Sequence, residues 1–368
     1  MHAFAGTAGA TRHPRRLALA FIGVTVTVMA LLSTAVTPSP AQAADPATRG
    51  LFGSQDPTYD GVYRQSYALL GLSAINAAPP RVTLRWLLDQ QCADGSFVSY
   101  RADLTAPCPP PDAQSYTGPD TNSTALAILA LTEHGRLPAA RKAAAWLLRI
   151  QLPGGGWGYV EGSPADSTST ALALEALESV PGTAKQQRAA VRWLSRQIAP
   201  CDAPAGQRFG IRYQPGALPD GISTSQGLLA LSGAFPVTPK AQRAAMPRVT
   251  CDSRGTPTDP RAAVTRWVAS TVMTHAGAIP DPFTPGQSDW NSTALGVIGM
   301  VATRTSGRAT ALALAALEAN AETYVSDGTS DRPAALGTLL LVSRATGADA
   351  TDFGGIDLAM RLLDTIQE

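Results

Sequence analysis

Five aspartates each precede a run of small and apolar residues. Three of these runs are near copies: Asp120-Thr-Asn-Ser-Thr-Ala-Leu-Ala, Asp166-Ser-Thr-Ser-Thr-Ala-Leu-Ala and Asp289-Trp-Asn-Ser-Thr-Ala-Leu-Gly. Asp220-Gly-Ile-Ser-Thr-Ser-Gln-Gly and Asp331-Arg-Pro-Ala-Ala-Leu-Gly are looser ones. A carboxylate in this place is a helix N-cap. It accepts an orphan backbone N–H and opposes the helix dipole, a stabilisation of about 1 kcal/mol. Parallel helices would gather these caps around one mouth, where the carboxylates more than cancel the dipoles, so no anion site is expected there. Just inside the starts stand Thr121, Asn122, Ser167, Thr168, Ser223, Gln226 and Asn291. Burying such groups costs free energy unless they are hydrogen-bonded. They either bond the preceding loop or line a cavity whose apolar walls come from Tyr59, Tyr63, Tyr116, Trp157, Tyr159, Phe209, Tyr213 and Trp290. The candidate ligand set is Tyr59, Tyr63, Tyr116, Asp120, Asn122, Trp157, Tyr159, Asp166, Thr168, Tyr213, Ser223, Gln226, Trp290 and Asn291. Glu175 is the odd charge in an apolar run: it needs solvent or a partner, or else its raised pKa makes it an acid.

Metal chemistry has little to work with. The only histidines beyond the first 45 residues are His134 and His275, and no Cys-x-x-Cys occurs. The four cysteines allow three disulfide pairings. Cys92–Cys108 and Cys201–Cys251 are the expected pairs, because each brackets one loop-rich insertion. A net charge of +1 offers no basic field for nucleic acid. Asn122-Ser-Thr and Asn291-Ser-Thr match glycosylation acceptors but open helices rather than free loops, and are discounted.

The elements that position these residues follow from hydrophobic pattern. Segments near 124–131, 170–177, 224–231, 293–301 and 334–342 are apolar almost all round and must be buried on every side. Segments near 81–91, 139–151, 185–198, 258–272 and 308–320 carry charge on one face and read as outer helices. Trp86, Trp146, Trp193 and Trp267 recur in four of these outer segments and are read as core at the outer–inner contact. The two kinds alternate as outer helix, loop, inner helix. Tyr63 to Ile75 and Ile356 to Gln367 supply a sixth inner and a sixth outer helix, and are expected to pair. The fold expected is all-α, an (α/α)6 toroid over residues 56–368, closed on itself so that no capping repeat is needed. Small residues on the inner segments, Gly71 and Gly337 among them, suit a narrow ring. Residues 1–43 read as a signal peptide: Arg12, Arg15 and Arg16, then an apolar stretch from Leu17 to Val36, then Ala41-Gln42-Ala43 as a cleavage site. An uncleaved anchor is the alternative. Residues 44–55 read as a linker.

With its Gln91-Cys-Ala-Asp-Gly-Ser-Phe97 and Gln151-Leu-Pro-Gly-Gly-Gly-Trp157 loops and its Asp-x-x-(Ser/Thr)-(Ser/Thr)-Ala-Leu starts, the chain resembles the prenyltransferase/squalene-cyclase repeat superfamily of terpenoid cyclase-like α/α toroids. Within it, the chain is similar to the secreted cobalamin carriers of the intrinsic factor and transcobalamin type, which implies a corrinoid as ligand. Those carriers add a β-domain; this chain ends with the ring, so tight enclosure of a ligand is expected either to need a partner or to be absent. The superfamily's catalytic marks are missing: no Asp-x-Asp-Asp acid, no Asp/Cys/His zinc set, no Cys-Gly-Glu-Gln thioester. The expectation is therefore a secreted protein that binds a bulky small molecule or a protein partner at the barrel mouth, without catalytic residues, cofactor or metal, and touching membrane only through its leader. The alternative is a terpenoid cyclase- or prenyltransferase-like enzyme acting on an isoprenoid in the same cavity.

Overall fold

The computed structural model describes residues 47–368. The signal peptide expected at 1–43, and residues 44–46, lie outside the described residues. The helices are α1 (Gly61–Ala74), α2 (Arg81–Asp89), α3 (Thr121–Glu133), α4 (Leu137–Ile150), α5 (Ser167–Glu178), α6 (Ala184–Gln197), α7 (Gly221–Ser232), α8 (Pro260–Thr274), α9 (Trp290–Thr303), α10 (Gly307–Ala319), α11 (Ala321–Val325), α12 (Pro333–Thr346) and α13 (Leu358–Leu363). Two short strands, β1 (Ile279–Pro280) and β2 (Ser288–Asp289), pair antiparallel ahead of α9.

The helices that are apolar all round form a closed inner ring. In order, α1 packs on α3, α3 on α5, α5 on α7, α7 on α9, α9 on α12, and α12 back on α1. Beyond the first turn, each is buried on every side over most of its length, as a helix without a polar face requires. The amphipathic α2, α4, α6, α8, α10 and α13 form the outer layer. Trp86, Trp146, Trp193 and Trp267 are all buried between the layers.

Two details depart from the sequence reading. Outer helices pack chiefly on the inner helix before them, α4 on α3 and α6 on α5, so each hairpin runs inner then outer. The last outer helix, α13, accordingly packs on α12 rather than forming a pair with α1. Short connections explain this for α3–α4, α5–α6 and α9–α10, whose inner-to-outer turns, such as His134–Arg136, are tight; the α7–α8 link, residues 233–259, is the long exception. Residues 47–55, read as linker, belong to the fold. Leu51 and Phe52 are fully buried, Phe52 bridges Ile366, and the Gly50 N–H donates to the Gln367 carbonyl at 2.7 Å.

Both expected disulfides are present, Cys92–Cys108 and Cys201–Cys251, with Cα separations of 5.8 and 6.5 Å. Among the described residues no helix is long and apolar enough to cross a membrane, and no cluster of metal-ligating side chains occurs.

Candidate functional site

The repeated Asp-x-x-(Ser/Thr)-Thr motif builds the starts of four inner helices. Asp120, Asp166, Asp220 and Asp289 accept the backbone N–H of Ser123, Ser169, Ser223 and Ser292 at 2.7–2.8 Å. One residue further on, Thr124, Thr170, Thr224 and Thr293 each accept the backbone N–H of a loop residue, namely Phe97, Trp157, Ile211 and Ile279, at 2.9–3.0 Å. These four threonines thus bond the preceding loop; of the polar residues singled out in the sequence, Thr121 and Ser167 bond the loop that follows instead, and Asn122 Oδ1 has no hydrogen-bond partner among the described residues. Asp331 does not follow the pattern: Arg332 stands at the N-cap of α12, and the Asp331 carboxylate takes two hydrogen bonds from Arg361 at 2.7 and 2.9 Å.

All six inner helices begin at one end, and each start is tied to the segment leading into the next. The Val62 N–H donates to the Ser99 carbonyl. The Thr121 hydroxyl donates to the Gly158 carbonyl, and the Ser167 hydroxyl to the Arg212 carbonyl. Gly221 abuts Ile279 so closely that an added Cβ would stand 2.4 Å from its Cγ2. The Tyr324 hydroxyl donates to Asn291 Oδ1 at 3.1 Å, and the Gln55 amide donates to the Asp331 carbonyl, which returns the circuit to α1. This circuit is the mouth. Its inner edge is a ring of half-buried first-turn residues, one from each inner helix: Tyr63, Asn122, Thr168, Ile222, Asn291 and Ala334.

The mouth has two unlike sides. Between α5 and α7 lies an apolar cavity of about 400 Å³, lined by Thr168, Tyr213, Leu218, Ile222 and Phe283. Leu218 and Phe283 are 68% and 82% exposed, an unfavourable placement for a leucine and a phenylalanine unless something covers them. Burial pushes the Tyr213 phenol up to about 12, with the Asp166 carboxylate and Tyr116 adding to the shift. Across the ring, where α1, α9 and α12 meet, a second cavity of about 410 Å³ is lined by Tyr63, Arg64, Asn291, Tyr324 and Arg332. Arg64 is held there by the Gln55 carbonyl at 2.7 Å and by an ion pair with Asp60 at 3.4 Å. Burial pushes the Tyr63 phenol up to about 12.

The expected ligand residues divide accordingly. Tyr63, Thr168, Tyr213, Ser223 and Asn291 line the two cavities. Asn122, Tyr159 and Trp290 are half-buried at the rim, and Tyr59 and Tyr116 are exposed beside it, 86% and 57%. Four do not face a ligand. Trp157 is fully buried, its indole N–H donating to the Leu147 carbonyl at 2.8 Å, because the glycines beside it let the loop fold over the ring. Gln226 is buried and spends its amide on Glu175. Asp120 and Asp166 are 1% exposed, consumed as caps; burial raises them to about 7 and about 6. Phe209, expected among the mouth aromatics, lines neither mouth cavity; it is buried and lines the groove beside α8. The pattern missed Leu218, Ile222 and Phe283. Their signal was apolar side chains in loops rich in proline and glycine, Ala217-Leu-Pro219 and Asp281-Pro-Phe-Thr-Pro285.

No protein-family description and no curated protein matches the chain. Solved structures do. A protein from Actinoplanes aligns at 15% identity over 82% of this chain and 94% of its own, with a TM-score of 0.52. The type II terpene cyclase MstE from Scytonema, in a Tyr→Phe form, aligns at 12% identity over 86% and 92%, with a TM-score of 0.49. An ent-copalyl diphosphate synthase from Streptomyces platensis aligns at 19% identity over 77% and 50%, with a TM-score of 0.48. The likeness is one of fold. A shared fold does not carry a shared reaction.

Proposed function

We propose that this chain is an exported protein that binds a bulky amphipathic small molecule across the mouth of the ring. The observation that carries the reading is the pairing of an apolar cavity near Phe283 with a polar, arginine-bearing one near Arg64, each about 400 Å³ in volume. Pockets of 300–1,000 Å³ with apolar walls and a few fixed polar groups are the usual setting for small-molecule recognition. An apolar body would lie against Tyr213, Leu218 and Phe283, and a polar end would meet Tyr63, Arg64 and Arg332. The first-turn residues form the floor, since the ring below them is packed with side chains. The two disulfides and the leader-like sequence support export.

A corrinoid, suggested by the resemblance to cobalamin carriers, and a prenyl diphosphate are the two ligands to try first. Purified exported protein is dialysed against cobalamin, and separately against geranylgeranyl diphosphate, and bound ligand is quantified. Saturable uptake of either, weakened about tenfold or more when Tyr213→Asp and Phe283→Ser are combined, is the expected result. Uptake that ignores those substitutions places the ligand elsewhere and rejects the mouth. Release of diphosphate on incubation with the prenyl compound would favour an enzyme instead.

A further inference from the structure

The largest of these cavities adjoins the mouth, sharing Asp220 and Pro282 with the apolar cavity there. It is a groove of about 580 Å³ on the flank of the ring, between the loop after Cys201, the outer helix α8 and strand β1. Its apolar wall is Phe209, Trp267 and Ile279, and its polar wall is Arg208, Arg266, the α8 residues Ser270 and Thr271, and His275 just past the end of α8.

The two arginines come from places 58 residues apart in the chain (266 − 208), and each is aimed by a backbone carbonyl. Arg208 Nε donates to the Ala203 carbonyl at 3.2 Å, and Arg266 Nη1 donates to the Pro247 carbonyl at 3.1 Å. Each guanidinium makes no other hydrogen bond among the described residues, and neither is in an ion pair. A guanidinium has five donors, so most of its hydrogen-bonding capacity is left unused by protein groups. The one carboxylate in the lining, Asp220, is spent: its Oδ1 accepts the Ser223 N–H at 2.7 Å and its Oδ2 the Ser223 hydroxyl at 2.8 Å. The apolar wall is equally fixed. The Trp267 indole N–H donates to the Gly206 carbonyl at 3.0 Å, and the loop bearing Gly206 and Arg208 is anchored by Cys201–Cys251 and by the Cys201 N–H on the Gly255 carbonyl at 2.8 Å.

From this juxtaposition we infer that the flank groove is a second ligand site, selective for a small molecule that joins an oxyanion to an aromatic ring. Phosphate, sulfonate or carboxylate oxygens would take the two arginines, where charge-assisted hydrogen bonds are strong. The ring would lie against the exposed edges of Trp267 and Phe209. The groove adjoins the apolar mouth cavity and shares Asp220 and Pro282 with it, but Tyr213 and Phe283 do not line the groove, and Arg208 and Arg266 do not line the mouth cavities.

The test uses phenyl phosphate as probe, read by isotope-edited NMR on the full exported protein. The Trp267 indole N–H resonance is assigned from a Trp267→Phe variant. The expected result is a saturable shift of that resonance by phenyl phosphate, with affinity reduced about tenfold or more in Arg208→Gln/Arg266→Gln. Inorganic phosphate and benzyl alcohol, each holding half of the chemistry, should bind more weakly than phenyl phosphate. The Tyr213→Asp/Phe283→Ser protein should bind it unchanged, which separates this site from the mouth. An unmoved Trp267 resonance, undiminished affinity in the arginine variant, or inorganic phosphate binding as well as phenyl phosphate would each overturn the inference. Arg208→Gln alone, on an exposed loop, gives the same comparison should the double variant fold poorly.

Discussion

Gly71 of α1 and Gly337 of α12 meet backbone to backbone where the ring closes. A Cβ on Gly71 would stand 2.5 Å from the Gly337 carbonyl oxygen, and one on Gly337 would stand 2.2 Å from that of Tyr67. The opposing atoms are main chain and cannot rotate away, so a methyl group on either side must push two helices apart. Gly71→Ala and Gly337→Ala should each lower stability by about 1–3 kcal/mol or more, as overpacking of a tight core does. Gly206→Ala, with nothing within 4 Å, should stay within about 0.5 kcal/mol. Urea unfolding followed by circular dichroism measures all three. Equal midpoints would show that the first and last inner helices do not press together.

The Glu175–Gln226 contact joins α5 to α7 inside the ring, with Gln226 Nε2 donating to Glu175 Oε1 at 2.8 Å. Burial holds the Glu175 carboxyl well above the usual carboxylate range, and Oε2 has no hydrogen-bond partner among the described residues. Below pH 4.5, the ordinary value, folded and unfolded chains are both protonated and the contribution to stability is complete. As pH rises beyond that, the unfolded chain ionises first and stability is lost until the folded carboxyl ionises too. Glu175→Gln, which keeps the shape and the acceptor, should match the parent at pH 4 and exceed its Tm at pH 8. Glu175→Ala should cost about 1–3 kcal/mol at pH 4, because Gln226 loses its acceptor, and less at pH 8, where the parent has itself lost the buried carboxyl's contribution. A Glu175→Gln protein whose Tm tracks the parent at every pH would refute the neutral, buried carboxyl.

The caps Asp120 and Asp166 predict a second, lower pH window. Their folded values of about 7 and about 6, raised by burial against the helix-start hydrogen bonds, lie above the ordinary 3.8. Stability contributed by these groups is present below pH 3.8 and is lost as pH climbs through the folded values. Asn keeps an oxygen for the Ser123 or Ser169 N–H and is a good cap. The Tm gain of Asp120→Asn over the parent should therefore grow from pH 4 to pH 7, while that of Asp166→Asn should level off about one pH unit earlier. A constant offset across the range would mean that the carboxylates stay ionised throughout.

The ring was legible in the sequence because its cause is periodic. Runs such as Ala125–Leu131 and Ala171–Leu177 have no polar face, and only a second layer around them can hide that much apolar surface. The Gln-x-x-x-Gly loops were legible for a similar reason. Gln91 donates to the Gly95 and Ala139 carbonyls, and Gly95 sits at φ +99° with a Cβ position 2.4 Å from the Lys142 carbonyl, so one outer helix is clasped to the next. What could not be read is which residues share a face across loops. Thr168 and Phe283 line one cavity from 115 positions apart, and Arg208 and Arg266 line one groove, because loop paths rather than helical periods bring them together. The hairpin pairing was misread because apolar pattern says which helix is buried, not which neighbour covers it.

The two disulfides close loops of unequal length and should differ in what they hold. Cys92–Cys108 spans 16 residues and Cys201–Cys251 spans 50. Restriction of the unfolded chain alone gives about 3 kcal/mol for the first and about 4 kcal/mol for the second. The second also fixes the loop that carries Arg208, through the Cys201 N–H bond to Gly255. Cys92→Ser/Cys108→Ser should therefore lower the urea midpoint less than Cys201→Ser/Cys251→Ser. Only the latter should weaken phenyl phosphate binding, since no part of the first loop lines the flank groove. Both pairs of measurements belong on the same preparations. A chain lacking Cys201–Cys251 that is less stable yet binds the probe with undiminished affinity would show that the arginine loop is held by its hydrogen bonds and not by its cross-link.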